Sequence, residues 1–204
     1  MTLKINFVFW DCDNTLVHTA EHHWRKHKEI LKQYDIALDD RYRQKIYENN
    51  GNQNWAWMTR ELGLAEDEQT YLDKVDAWYK ENLDDIQIRK GVKSALDYFT
   101  LHRIPQAVVS NSRKKSVHTI LQAKSLLPYF DFVLGREDYD ARKPSPVPYQ
   151  TALQIMQQHD GNFIDPKNCL VIEDDPLGVQ SAEAAGMAVL FRPLGDNQPI
   201  KSIL

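Results

Sequence analysis

Short, nearly continuous apolar runs recur along the chain at Ile5–Trp10, Gln106–Ser110, Phe132–Gly135, Cys169–Glu173 and Ala188–Arg192, each ending in polar or turn residues. Runs without alternation are the pattern of strands covered on both faces, as in parallel sheets. Between them, helical spacing of apolar positions marks Val92–His102, Lys114–Lys124, Val147–Gln158 and Leu177–Ala185. In the last of these, Leu177, Ala182 and Ala185 are expected to face the sheet, and Gly186 to stop the helix. Strand and helix alternating in this way predict a doubly wound α/β core.

From Val17 to Arg89 the rhythm changes. No convincing strand is expected there, while Trp24, His27, Ile30, Leu31 and Tyr34 share one helical face, as do Tyr71, Val75, Trp78 and Tyr79. Gly51 and Gly63 punctuate two further helical pieces. The reading is an all-helical subdomain, residues 17–89, inserted into a core made of 1–16 and 90–204. Its expected hinges are Leu16–Thr19 and Asp84–Arg89. The stretch Asp138–Pro148, rich in proline and charge, is the longest expected loop.

Composition narrows the classes of function. The 204 residues are 42% hydrophobic and 26% charged, ordinary for a globular chain with a real core. The net charge of −4 gives no electrostatic reason to bind a nucleic acid polymer or an anionic membrane. Mean hydropathy is −0.56, and no apolar run approaches the ~18 residues of a membrane-spanning helix. Cys12 and Cys169 both sit in apolar stretches and read as buried thiols of a reducing compartment. Ile5–Trp10 runs straight into Asp11 with no small-residue cleavage site, which speaks for a strand and against a signal peptide. A cytoplasmic monomer is the expectation.

In an open parallel sheet, ligands bind outside the carboxyl ends of the strands. The first strand here ends in Asp11-Cys12-Asp13-Asn14-Thr15-Leu16, the second in Ser110-Asn111-Ser112, and the fourth in Glu173-Asp174-Asp175; Lys143-Pro144 follows the third. Each piece alone has a bland reading: a solvated turn, a helix N-cap, a surface lysine. Together they deliver carboxylates, a hydroxyl with neighbouring amides and a lysine to one rim, which suits phosphoryl transfer. Oxygen ligands from Asp11 and Asp174 make a hard site for Mg²⁺. Ser110 and the amides of Asn111 and Ser112 can hold phosphate oxygens. Lys143 offsets the negative charge of phosphate and of Asp11. Asp11 is the candidate nucleophile, forming an aspartyl-phosphate. Asp13 is placed to protonate the leaving oxygen and then to activate water.

Taken in order, Asp11–Leu16, Ser110, Lys143 and Glu173-Asp174 resemble the four motifs of the haloacid dehalogenase superfamily of phosphohydrolases. The resemblance covers the whole chain. It implies a Rossmann-like core with a helical cap after the first strand, and a small phosphomonoester as substrate. It also implies that the backbone carbonyl of Asp13 joins the metal and that Glu173 serves it beside Asp174. Glu173-Asp174-Asp175-Pro176-Leu177-Gly178-Val179 is similar to the phosphoglycolate phosphatase and β-phosphoglucomutase branch. Thr19-Ala20-Glu21-His22-His23 resembles that branch's cap hinge, making His23 a candidate substrate contact. Two departures stand out. Asn14 occupies a position where glycine is common, which asparagine tolerates. Gly51-Asn52-Gln53-Asn54 lacks the arginine with which the mutase clamps a second phosphate.

Other features read as structural. His18, His22, His23 and His27 make two i, i+4 pairs, expected on a hinge and an exposed helix rather than around a metal. Trp24, Trp55, Trp57 and Trp78 are expected to pack the core of a small subdomain, with Trp55 or Trp57 the candidate for a substrate contact. A sugar-phosphate mutase and a non-catalytic phosphate-binding protein are the alternatives to a phosphatase. The missing arginine speaks against the first, and the complete set of chemical groups against the second. A dehalogenase needs neither Asp13 nor the acidic pair. The helical insert is expected to set substrate choice and to close over the phosphate.

Overall fold

The computed structural model describes residues 5–196 and Ile200. The chain forms two compact units: a core made of the segment up to Val17 together with the chain from Ile88 on, and a second unit spanning His18–Gln87.

In the core, β1 (Phe7–Trp10) leads towards the second unit, and the chain returns to the core at Ile88. The crossings are two short strands, β2 (Val17–His18) and β3 (Gln87–Ile88), which pair with each other. They correct the expectation that no strand occurs between Val17 and Arg89: two residues leave no hydrophobic period to read. The remaining core strands are β4 (Gln106–Val109), β5 (Phe132–Leu134), β6 (Cys169–Glu173) and β7 (Ala188–Phe191). All pairings in the main sheet are parallel, in the order β5-β4-β1-β6-β7. This is the doubly wound arrangement, with β1 central and the direction of winding reversing beside it. β1, β4 and β6 are buried along their whole lengths, which explains their continuous apolar sequence. Of the two polar residues inside them, Gln106 and Glu173, Gln106 is satisfied within the core: its Oε1 accepts from Trp10 Nε1 at 3.0 Å and its Nε2 donates to the Leu96 carbonyl at 3.2 Å.

The crossovers are α5 (Val92–Leu101), α6 (Lys114–Ala123), α7 (Val147–Asp160) and α8 (Pro176–Ala184). Helix α8 differs from expectation on one point. Leu177 is exposed, while Gly178, Ser181, Ala182 and Ala185 are buried. The inward stripe therefore starts one residue later, because Gly178 must lie against a side chain of β6.

The second unit is helical: α1 (Ala20–Leu31), α2 (Arg43–Glu48), α3 (Gly51–Leu62) and α4 (Glu68–Glu81), joined by short turns. Asn50 and Gln53 close a reciprocal capping box at the start of α3, and Gly63 ends it with φ of +72°. Trp24, Trp57 and Trp78 are buried; Trp55 is half-buried and donates Nε1 to the Glu66 carbonyl at 2.9 Å. Tyr34 lies past the end of α1 in a single 3₁₀ turn, its hydroxyl on Glu66 at 2.6 Å. The α1 histidines also depart from expectation. His22 and His27 are buried, not exposed. His22 Nε2 lies 2.6 Å from the Asn82 carbonyl, and His27 Nδ1 lies 2.6 Å from the Tyr71 hydroxyl with the rings stacked.

Burial pushes the His27 imidazole well below its ordinary 6.5, and the charges of Lys26 and His23 push the same way. The fold thus needs a neutral ring, while the unfolded chain takes up the proton first as pH falls. This contribution to stability is complete above pH 6.5 and is lost as pH drops below that value. Thermal melts followed by tryptophan fluorescence should show the parent losing more stability between about pH 7 and pH 5 than His27→Gln, whose side chain does not titrate. Parallel losses in the two proteins would refute the assignment.

Candidate active site

The sheet order decides what can meet. Trp10 pairs with Val108 on one side and Ile172 on the other, so the residues following β1, β4 and β6 emerge side by side at one edge. The Asp11 amide donates to the Ile172 carbonyl at 3.0 Å, and the Ser110 amide to the Leu134 carbonyl at 3.0 Å. These bonds continue the ladders by one residue and hold Asp11 and Ser110 as rigidly as the strands themselves.

Lys143 arrives from the loop before α7. Its Nζ donates to Asp11 Oδ1 at 2.8 Å, to Glu173 Oε1 at 2.6 Å and to the Val109 carbonyl at 2.8 Å. All three donors of a buried ammonium are used. The main chain of Lys143 is fixed by Asn111, whose side chain accepts from the Lys143 amide at 3.1 Å and donates to its carbonyl at 3.4 Å. The Asn111 side chain therefore positions the lysine. Glu173 Oε1 also accepts from the Tyr149 hydroxyl at 2.6 Å, and the ammonium lies 5.0 Å from the Tyr149 ring centroid.

Oxygen atoms of Asp11, Glu173 and Asp174 lie within 4.8 Å of one another, the one such acidic or mixed cluster among the described residues. Asp174 Oδ1 accepts from Thr15 Oγ1 at 2.8 Å. Burial pushes the Asp11 carboxyl well above the ordinary carboxylate range; Lys143 pulls it down, and Glu173, Asp174 and Asp13 push it further up. Burial likewise carries Asp174 to about 7, opposed by the Thr15 hydrogen bond and by Arg89. For Lys143, burial favours the neutral amine, but Asp11 and Glu173 more than offset it and hold the charge. Three carboxylates against one ammonium leave an excess of negative charge in a desolvated space, and every donor is a hard oxygen. The group fits a hard divalent cation and offers nothing to a soft one.

Asp13 is half-buried, and its Oδ2 accepts from Ser112 Oγ. The Ser112 amide in turn donates to Ser110 Oγ at 3.1 Å. Asn14 has φ of 56°, the left-handed backbone expected at this position. Cys12 is buried, and burial raises its thiol pKa well above the usual value, so it is inert. His23 lies on α1 of the helical unit, its Nδ1 accepting from Lys26 Nζ at 2.9 Å. Thr15, Ser112 and Tyr149 were not singled out for the contacts they make. An isolated hydroxyl in a sequence carries no sign of its partner. In the sequence Gly178 reads only as part of the Glu173–Val179 stretch, yet a Cβ there would collide with the Glu173 carboxylate.

Fold and site define a doubly wound α/β enzyme whose acidic, lysine-braced centre sits where the winding reverses. The chain matches the family model described as haloacid dehalogenase-like hydrolase over residues 8–191, and it belongs to that hydrolase family. It is 28% identical over 184 residues to the fructose-1-phosphate phosphatase YqaB of Escherichia coli, covering 88% of this chain and 92% of that one. It is 23% identical to a phosphoglycolate phosphatase of Thiobacillus denitrificans, covering 96% and 86%. Among solved structures, CbbY of Rhodobacter sphaeroides in complex with phosphate superposes with a TM-score of 0.80 at 20% identity, over 93% of this chain and 86% of that one. A β-phosphoglucomutase from Clostridium difficile gives 0.75 at 18%, over 92% and 84%. These two likenesses show the fold. No helix among the described residues is long and apolar enough to cross a membrane.

Gly178→Ala tests how tightly the acidic group is packed. Glu173 cannot swing aside without leaving Lys143 and Tyr149, so the added methyl should cost about 1–3 kcal/mol. A lowered thermal midpoint is expected, together with loss of most metal-dependent turnover. An alanine variant as stable and active as the parent would mean that Glu173 is free to move.

Proposed function

We propose that the chain hydrolyses a small phosphomonoester through an aspartyl-phosphate on Asp11, with a magnesium ion as cofactor. The observation that carries this reading is the Lys143 ammonium bonded to both Asp11 and Glu173 at the edge where Asp13, Ser110 and Asp174 also emerge. Asp11, Glu173, Asp174 and the Asp13 carbonyl would hold the ion, which when bound supplies positive charge to the phosphate. Ser110 and the amides of Asn111 and Ser112 bind phosphate oxygens, and Lys143 draws charge from the anion as it approaches a carboxylate nucleophile. An Asp11 oxygen forms a bond to phosphorus as the bond to the leaving oxygen breaks, and Asp13 gives that oxygen its proton. Asp13, now a base, takes a proton from water, whose oxygen attacks phosphorus and releases Asp11 and inorganic phosphate.

Hydrolysis is preferred to transfer onto a second substrate. The stretch Gly51–Asn54 contains no arginine, and its polar side chains serve the helix: Gln53 closes the capping box of α3, and Asn54 Nδ2 donates to the Ile46 carbonyl at 3.0 Å. The relatives named as phosphatases support the same reading. We assign the choice of leaving group to the helical unit, residues 17–89, with His23 as its candidate contact.

With p-nitrophenyl phosphate, EDTA should abolish turnover and Mg²⁺ restore it. Asp11→Asn should form no phosphoenzyme. Asp13→Asn should lose roughly 10²–10⁴ in rate on alkyl phosphates, yet still accumulate phosphoenzyme from the aryl ester, read by intact mass after an acid quench. Equal labelling of the Asp11 variant would displace it as nucleophile. A separate panel of phosphomonoesters should be reordered by His23→Ala, with p-nitrophenyl phosphate turnover kept within about tenfold, or ~1.4 kcal/mol in barrier. An unchanged order would remove His23 from substrate choice.

A further inference from the structure

Arg89 is among the largest fully buried side chains of the core, with about 2% of its surface exposed. Its guanidinium meets backbone carbonyls: those of Asn14, of Arg192 at 2.8 Å, of Pro193 at 3.0 Å and of Asp196 at 2.8 Å. These belong to two segments far apart in sequence. One is the loop that follows Asp11. There the amides of Thr15, Leu16 and Val17 all turn onto the Cys12 carbonyl, at 3.3, 3.0 and 3.3 Å, and Asn14 takes its left-handed backbone. The other is the turn after β7, whose Arg192 amide donates to the Glu173 carbonyl at 2.6 Å. The backbone of Arg89 adds a further tie to the loop, its amide donating to the Leu16 carbonyl at 3.0 Å.

We propose that Arg89 is a positioning residue that sets the Asp11-bearing loop against the Glu173–Asp174 strand end by spanning the Asn14 and Arg192 carbonyls. This rests on the phosphatase reading for its kinetic consequence, but not for its geometry. The Asp11 amide ties the start of the loop to β6; beyond Asp11 the loop's inward amides fix its shape but not its distance from β6. Thr15 reaches Asp174 with a hydroxyl, and Arg89 reaches the same two elements through main chain. A guanidinium presents its donors in a rigid fork, so several carbonyls can be held at set spacings. A lysine ammonium at the same place is a single point on a flexible stem. Burying the fork costs much unless its donors are matched; its two terminal nitrogens have four carbonyl partners, while Nε has none among the described residues. The side chain is thus committed to one arrangement, and an error of about 1 Å in the placing of reacting groups can cost on the order of 10²-fold in rate.

The test compares full-length parent, Arg89→Lys and Arg89→Met by two measurements. The first is kcat and KM for p-nitrophenyl phosphate with saturating Mg²⁺. The second is the rise in thermal midpoint on adding Mg²⁺ alone, which reports how well the carboxylates are arranged for a cation whatever the chemistry. Arg89→Met should lower kcat by about 10- to 100-fold with KM within about threefold, and should lose more than half of the Mg²⁺-induced rise. Arg89→Lys, which keeps the charge, should recover only part of either. The proposal is overturned if Arg89→Met keeps kcat within about threefold, or if both variants show the parental Mg²⁺ response. It is overturned also if neither variant folds, since Arg89 would then be a general brace. A parent that hydrolyses no phosphomonoester but responds to Mg²⁺ would remove the phosphatase reading, and the Mg²⁺ comparison would still decide the role of Arg89. A parent without a Mg²⁺ response would overturn it.

Discussion

Everything at the sheet edge is arranged around one buried ammonium. Lys143 joins Asp11 of the first strand end to Glu173 of the fourth and reaches the carbonyl of Val109 on the second. Without it, two desolvated carboxylates would face each other, and one would take up a proton. An ion pair of this kind adds little net stability over an apolar core, while leaving either partner alone is strongly destabilising. Its value is in placement. It aims Asp11 and pulls its pKa down, against the burial that pushes it up. The surrounding residues follow from that demand: Asn111 fixes the lysine main chain, Tyr149 completes the Glu173 oxygen, and Gly178 makes room for that carboxylate.

The doubly wound sheet is what makes such an arrangement available to so short a set of segments. Strands from four separate regions end at one edge because parallel crossovers return each to the same starting side. The buried strands need no polar residues for their own stability, so the chemistry is concentrated in the one or two residues after each strand. The helical unit solves a different problem. Its helices are short and its core is small, so aromatic side chains supply the buried area. Some of their polar atoms and those of the buried histidines find specific partners, as His27 does on Tyr71 and Trp78 on Glu29, whereas the Trp24 indole nitrogen is buried without a hydrogen bond among the described residues. The stability of this unit depends on pH through the buried, neutral His27.

Much of this was legible in the residues themselves. Continuous apolar strands, glycine-stopped helices and carboxylates just past the strand ends are local signals, and Cys169–Glu173 falls on the strand expected of it. What escaped is whatever depends on a partner distant in sequence. Leu177 reads as the obvious inward residue of α8, yet Gly178 takes that place because Glu173 needs the space. The histidines of α1 read as exposed because histidine is polar, but the aromatic rings of α4 give them an apolar surface with a hydroxyl or a carbonyl within reach. Arg89 and Tyr149 look like ordinary residues of a linker and a helix. Only the sheet order tells that their neighbours are the Asp11-bearing loop and the acidic strand end.

The two aspartates of the first motif show how position is turned into chemistry. They are the same residue type two places apart on one loop, and composition cannot distinguish them. Asp11 is still tied to the ladder by its amide, is buried, and shares its charge with Lys143. Asp13 is past the strand, half-buried, and meets a neutral hydroxyl, that of Ser112. An ammonium beside a carboxylate favours its anionic form, which is what the proposed attack of Asp11 on phosphorus needs. A hydroxyl, which can donate or accept, is the neutral partner that the proposed proton exchange at Asp13 calls for. Pairs of like groups acquire separate roles through such differences of surroundings. Here the difference of surroundings is made by residues from other strands, which is why the sheet order, more than the motif itself, sets the two aspartates apart.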